Sequence, residues 1–429
     1  MFPLLTFLIL YMLTGFISGD FESMPLMIGI VLAIIVALFM NNKEDKKTLE
    51  EKITIFTKGA GNEGLMLLVI IFMLAGAFYA TASAVGSVNS ISNFGLSILP
   101  ESMILPGLFV VTSILSFSMG TSMGTIPALI PIAIDIAQKT DTNISLLAGI
   151  VVGGAMFGDN LSFIADTSIA AARTQEVSMN EKFQTNLLFV LPAILMNLML
   201  LALQPIQTAG LETGSYPYEL IEILPYLLVI LLSVAGLNVL AVFALGILSA
   251  LLIGLFNGTL TLISFMGTIH QGMMEMQDMA IIALFVGGLV ALMEWLGGID
   301  WLLHNLTKRT KTKRGAEFSI AALVSLMDIA TTNNSISILT VGPLARDIAD
   351  EFGITRARTA TILDTFAAGF NGLLPYAGQL LVAGGLAGVS PVSIMVYNWY
   401  SMLMIAVGLL AIIFQLPESL LKKKSNRIK

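Results

Sequence analysis

Pro131-Ile132-Ala133-Ile134-Asp135-Ile136-Ala137 recurs as Pro343-Leu344-Ala345-Arg346-Asp347-Ile348-Ala349, 212 residues further along the chain. Matching alanines and isoleucines would mean little in so apolar a sequence, but a proline and an aspartate are scarce in it, and their joint return in one register marks an internal repeat. The same ungapped shift lays Glu63 on Glu275, Gly76 on Gly288, Gly86 on Gly298 and Asn93 on Asn305. The chain is therefore expected to divide into a half spanning 1–210, with a repeat over about 25–175, and a half spanning 211–429, with a repeat over about 237–387.

What kind of structure repeats follows from composition. The chain of 429 residues is 56% hydrophobic and 11% charged, with a mean hydropathy of +0.89. A soluble surface needs more charge than that, so the solvent for most of the chain must be lipid. Apolar stretches of spanning length with scattered glycine specify helices, because barrel strands would read as short alternating segments. The fold class expected is all-α and polytopic. Met1–Gly19 has no basic leader and no small-residue cleavage site, and it reads as a first span. Cysteine is absent, which excludes disulfides, thiol nucleophiles and cysteine-based metal centres. A net charge of −7 spread over loops and spans identifies no partner, and nothing points to nucleic acid.

Several apolar segments are too short to span: 126–138, 145–157 and 163–172 in the first half, and 338–350, 355–369 and 374–388 in the second. Short pieces separated by Gly, Ser, Thr and Asn suggest broken helices and re-entrant hairpins around a midplane site. Loop charge then gives the relation between the halves. The connector 41–58 holds Lys43, Lys46, Lys47, Lys52 and Lys58, while its counterpart 253–270 has no Lys or Arg. The next pair is reversed: 88–104 has none, and 300–316 has Lys308, Arg309, Lys311, Lys313 and Arg314. Since cytoplasmic loops collect basic residues, the repeats are expected to be inverted, with the basic tail 421–429 cytoplasmic.

The residues that carry chemistry sit at the breaks. Ser116–Thr125 is a run of hydroxyls and glycines before Pro127, and its repeat mate is Asp328–Ser337, with Thr121 on Asn333 and Ser122 on Asn334. Hydroxyls and freed carbonyls there can replace the hydration shell of a small cation, and the N–H groups of the following half-helix can hold an anionic group. Gly153–Ser168 places Asp159 and Asp166 in apolar sequence. An unpaired intramembrane charge costs about 2.5–3.5 kcal/mol, so such a carboxylate binds an ion, carries a proton or pairs with a cation, for which Arg173 is the nearest candidate. In the mate segment Asp159 becomes Asn371, and Glu294, Asp328 and Asp364 fall on Ala82, Ser116 and Val152. These acids are not required by the repeated plan, which favours function for at least one, although Glu294 could instead reach the interface. Asp135 and Asp347, like Glu63 and Glu275, occur in both halves near segment ends, where capping competes with a site role. Gly59-Ala-Gly-Asn-Glu-Gly64 matches a dinucleotide fingerprint without its strand–helix context, and His270 and His304 have no ligand-spaced partners. No phosphate-binding loop for ATP is visible, so an ion gradient is the expected driving force.

The run Gly158-Asp-Asn-Leu-Ser-Phe-Ile-Ala-Asp-Thr-Ser-Ile-Ala-Ala-Ala-Arg-Thr-Gln175, together with Gly120-Thr-Ser-Met-Gly-Thr125, resembles the signature of NhaC-type sodium/proton antiporters. The resemblance extends over about 25–415. It implies inverted repeats, re-entrant hairpins, an elevator-like or rocking movement and residence in a bacterial inner membrane. Asp159, Asn160, Ser162, Asp166 and Thr167 fall on the motif, and Thr121, Ser122 and Thr125 on the hydroxyl-rich break. Ala165 and Ser168 depart from it.

These readings converge on a secondary active transporter rather than an enzyme, with Na+ and H+ as coupling ions and no cofactor. Asp159 and Asp166 are expected to bind Na+, with Thr121, Ser122, Thr125, Asn160, Ser162, Thr167, Asp328, Asn333, Asn334, Ser335, Asp364 and Asn371 as further ion- or substrate-binding candidates. The alternative is a Na+- or H+-coupled carrier of an amino acid or small carboxylate, whose anionic group would meet the half-helix N-termini near Thr125 and Asn334. A passive channel is disfavoured, because hairpins suggest a closed site rather than a continuous polar pore. The expected partners are the lipid bilayer and a small cation or organic solute; oligomeric state is open, a homodimer included.

Overall fold

The computed structural model describes residues 2–18, 24–42, 45–204, 217–298 and 312–416. Expectations resting on Lys43, the 210/211 boundary, His304, Asn305, Lys308, Arg309, Lys311 and the tail 421–429 fall outside these residues. Every regular element among the described residues is a helix. The first half comprises α1 (Phe2–Ser18), α2 (Leu26–Phe39), α3 (Leu49–Ala60), α4 (Glu63–Ala84), α5 (Ser87–Ile98), α6 (Glu101–Met119), α7 (Ser122–Lys139), α8 (Ile144–Leu161), α9 (Asp166–Thr174) and α10 (Met179–Ala202). The second comprises α11 (Leu220–Val234), α12 (Val239–Asn257), α13 (Leu262–Glu275), α14 (Gln277–Trp295), α15 (Lys313–Thr331), α16 (Asn334–Phe352), α17 (Arg356–Asn371), α18 (Gly378–Ala387), α19 (Pro391–Tyr397) and α20 (Trp399–Phe414). Six spans are long and apolar enough to cross a bilayer, with α8 and α9 together forming one of 31 residues. A seventh arises if α18 and α19, bent by 108° from one another, count as one.

Helix boundaries recur at the interval found in the sequence. Shifting α6, α7, α8 and α9 by 212 residues places their starts at 313, 334, 356 and 378, where α15, α16, α17 and α18 begin. Caps recur too: Ser178 and Ser390 each bond a first-turn N–H of the following helix, satisfying a donor the helix cannot. The apolar stretch 391–415 is not one helix but is divided at Asn398 into α19 and α20. The Asn398 side chain caps α20 through the Ser401 N–H and donates to Gly372 O at 2.6 Å, a polar task that interrupts the helix. The short α3, α5 and α13, too polar to register as spans, are also present.

The halves pack by exchange. α4 lies on α13, and its repeat mate α14 lies on α3, the mate of α13. At the first crossing a Cβ on Gly76 would fall 2.1 Å from Gly272 O, and one on Gly272 2.2 Å from Gly76 O, so only glycine permits the approach. The same exchange governs the short helices, with α9 against α16 and α18 against α7.

Within each half α6 and α15 end in hairpin tips. Gly154 meets Phe109 and Thr112, and Gly158 meets Ser113 and Phe117, so α8 runs parallel to α6. Ser122, at the start of α7, meets Asp159 near the end of α8, so the chain has reversed at Gly120–Thr121. Gly120 is left-handed (φ 65°) and Thr121 extended (φ −155°); the mate Thr332 is left-handed (φ 54°) and Asn333 extended (φ −143°). The backbone turn is conserved between the halves, but at Thr332 it is imposed on a β-branched residue, for which this region is strained. Thr332→Gly should therefore raise the apparent thermal midpoint of purified protein, because relief of about 1 kcal/mol exceeds the added chain entropy. A lower midpoint would show that the threonine side chain contributes more than its backbone costs.

A buried fork closes one end of the second half. Arg358 donates through Nε to Glu317 Oε1 (2.7 Å) and through Nη2 to Glu317 Oε2 (2.9 Å) and Ala411 O (3.0 Å), and through Nη1 to Leu416 O. Both partners are fully buried. Their repeat mates are Leu105 and Leu146, also buried, so the first half fills the equivalent place with an apolar pair. Arg358→Leu alone should destabilise by about 3–5 kcal/mol through the stranded carboxylate, while the double change to leucine at 317 and 358 should restore the thermal midpoint to near that of the parent.

Candidate functional site

Two hairpin tips and two helix breaks meet at a cavity of about 490 Å³. Its core is polar: Thr121 and Ser122 at the first tip, Thr331 through Ser335 at the second, and Asp159, Asp166 and Thr167 at the α8–α9 break. α4 and α14 supply the facing wall, from Leu65 to Ile71 and from Ala283 to Glu294.

The acidic residues are held by groups from both halves. Asp159 is 5% exposed; its Oδ2 accepts from Ser122 Oγ at 2.9 Å, and Ser122 Oγ in turn accepts from Gln379 Nε2 of α18 at 3.3 Å. Asp159 Oδ1 is buried without a hydrogen-bond partner among the described residues. Asp166, in the first turn of α9, is exposed within the cavity lining. Its Oδ1 accepts from the Thr167 N–H at 2.9 Å and its Oδ2 from Ser335 Oγ of the opposite tip at 2.6 Å. The repeat mate of that last contact is Gly378 against Met123, the same meeting of tip and half-helix without polar groups. Asp159 and Asp166 have Asn371 and Gly378 as mates, so both carboxylates lie on one side of the relation between the repeats.

Other candidates take different places. Thr125 donates to Thr121 O at 3.0 Å within the first turn of α7, and Ser162 donates to Phe117 O at 2.7 Å, tying the end of α8 to α6. Asp328 is fully buried and accepts from Asn371 Nδ2 at 3.3 Å, leaving Asp328 Oδ2 and Asn371 Oδ1 without partners among the described residues. Neither lines the cavity. Asp364, also fully buried, forms an ion pair with Lys182, and Asn160 O accepts from the same ammonium at 2.8 Å and from Asn186 Nδ2 at 2.8 Å. Asn333 caps α16 through the Ile336 N–H at 3.0 Å, and Asn334 is buried beside it in the cavity wall.

Arg173 is joined to neither Asp159 nor Asp166 by any ion pair among the described residues, and the basic side chain that does enter this region is Lys182, on the next helix. Lysine at a helix start after a polar turn reads as surface, which hid it. Gln379, Tyr376 and Asn62, all in the lining, gave no sequence signal. Asn186 did carry one: its mate at 212 residues is Asn398, and the two make the same bond, to Asn160 O and Gly372 O. Asp135 pairs with Lys139 one turn on, whose Nζ also donates to Asn93 Oδ1 at 2.6 Å.

Known proteins give the wider context for this geometry. A family model described as the Na+/H+ antiporter family matches residues 2–204 and again 208–416. The malate-2H+/Na+-lactate antiporter of Bacillus subtilis is 21% identical over 395 residues, covering 84% of this chain and 83% of that protein. A Na+/H+ antiporter of Haemophilus influenzae is 29% identical over 197 residues, 46% of this chain and 40% of its own length. The Na+/H+ antiporter NhaC of Bacillus subtilis is 27% identical over 205 residues, 46% of this chain and 44% of that protein. Matched by one family model through each half in turn, this multi-pass membrane protein belongs to the Na+/H+ antiporter family.

Proposed function

We propose that the protein exchanges Na+ for H+ across a bacterial inner membrane, with Asp159 and Asp166 as ligands that the two ions share. The observation that carries this reading is the charge of the cavity: Asp159, Asp166 and Glu294 line it, and among its described lining residues there is no Lys, Arg or His. A concave site with carboxylates of one sign concentrates cations and repels anions. Hydroxyls of Ser122 and Ser335 already lie on the carboxylates, and Thr121, Thr167 and Asn333 add oxygens from the same lining. That is the hard-oxygen surrounding a small cation exchanges for its hydration shell. A proton bound to either carboxylate removes the charge that holds Na+, so the ions compete.

The orientation we propose follows from loop charge. The cavity lining reaches exposed Gly64, Asn62 and Glu294, beside the connector that carries Lys46, Lys47, Lys52 and Lys58. With basic residues retained in the cytoplasm, the site in this conformation faces inward. Leu416 O meets Arg358 at the end of the bundle where α15 starts with Lys313 and Arg314, which supports a cytoplasmic C-terminus. Movement of the hairpin tips against the α4 and α14 wall would expose the site to the opposite side.

A cavity of this volume also supports a second reading, coupled transport of a small organic solute, and the relative matched over most of its length is named for malate and lactate. The absence of basic groups among the described lining residues weighs against a free carboxylate as the sole cargo.

In proteoliposomes with a preset pH gradient, Na+ alone should dissipate the gradient. Asp159→Asn and Asp166→Asn should each abolish this while the protein remains folded. Dissipation that requires malate, lactate or an amino acid would replace antiport with the second reading. Glu294 lies at the exposed rim, so Glu294→Gln should raise the KM for Na+ several-fold at low ionic strength, and less as salt screens the rim. Initial rates at two salt concentrations measure it.

A further inference from the structure

Lys182 of α10 is 1% exposed and sits where α8, α9 and α17 converge. Its ammonium donates to Asn160 O at 2.8 Å, to Ser168 Oγ at 2.7 Å and to the Asp364 carboxylate. Ser168 Oγ bridges further, at 3.2 Å from both Asn160 O and Asp364 Oδ2. These contacts have a specific placement. Asn160 follows Asp159 at the end of α8, Ser168 is two residues past Asp166 in the first turn of α9, and Asp364 comes from the opposite half. One cation therefore ties both sides of the α8–α9 break to α17, without itself lining the cavity.

The second half shows that folding does not require this arrangement. The mates of Lys182, Ser168 and Asp364 are Ile394, Leu380 and Val152, all fully buried, so apolar side chains occupy the equivalent junction beside the Asn398 bond to Gly372 O. Buried ion pairs are often no more stabilising than apolar residues of similar size, which makes the polar version a poor choice for stability. It occurs in the half whose break carries Asp159 and Asp166, whereas the apolar version accompanies Asn371 and Gly378.

We propose that Lys182 is a positioning residue for the cation site: through Asn160 and Ser168 it fixes Asp159 and Asp166 relative to one another, and through Asp364 it anchors both to the second half. This rests on the assignment of Asp159 and Asp166 as the cation ligands. Residues that orient ligands without touching the ion commonly alter affinity by about 10–100-fold when lost.

The test compares KM for Na+ with maximal rate in proteoliposomes. Changing Lys182→Met and Asp364→Asn together leaves no buried charge stranded; the KM should rise by about tenfold or more, the maximal rate should fall by less, and the thermal midpoint should stay near that of the parent. Ser168→Ala removes one ligand of the ammonium and disturbs no charge, and should raise the KM in the same direction by a smaller factor. A KM within twofold of the parent in both variants would overturn the proposal. Asp159→Asn and Asp166→Asn run alongside as controls: if they transport normally, the assignment of the cation ligands fails, whereas if they are inactive and the Lys182 variants keep the parent KM, only the positioning role fails.

Discussion

Backbone groups released by a break in a helix have no water to turn to inside a bilayer, so a break is tolerated where another part of the protein reaches it. Two kinds of contact gather there: side-chain bonds between the halves, and side-chain bonds to freed carbonyls within each half. Ser335 at the second tip bonds Asp166 at the first break, and Gln379 beyond the second break bonds Ser122 at the first tip. Asn186 and Asn398 meet the last carbonyls of α8 and α17. Each half meets its own freed carbonyl, whereas the cavity is a property of the interlocking of the two, and polar groups are concentrated where the breaks face one another.

Duplication supplies an internal control that single-copy folds lack. Where both halves do the same thing, the residue serves the architecture: the left-handed turn at Gly120 and Thr332, the caps at Ser178 and Ser390, the asparagines 186 and 398. Where they differ, burial and charge show what was specialised. Glu317–Arg358 against Leu105–Leu146 exchanges a buried ion pair for an apolar pair. Asp159 and Asp166 against Asn371 and Gly378 concentrates negative charge on one side of the cavity, and Lys182–Asp364 accompanies it.

The amino-acid sequence alone determined the helical class, the 212-residue repeat and the breaks at the two tips and after α8 and α17, though not the one at Asn398. These depend on hydrophobicity, on scarce residues and on the chemistry of small polar side chains, all of which are local properties. Eight of the candidate site residues, including Asp159, Asp166, Ser122 and Ser335, were legible because polar groups in lipid-soluble sequence are conspicuous, and the structure brings those eight to one cavity. Only the tertiary structure decided which acids share a cavity and which are sealed elsewhere: Asp328 and Asp364 look like Asp159 in sequence, yet one lies against Asn371 and the other against Lys182. It also decided that Lys182 is buried, that Gln379 reaches across to Ser122, and that glycines 76 and 272 bring two backbones into contact. Pairing between residues far apart in the chain is set by how the repeats exchange helices, and one-dimensional periodicity carries no record of that.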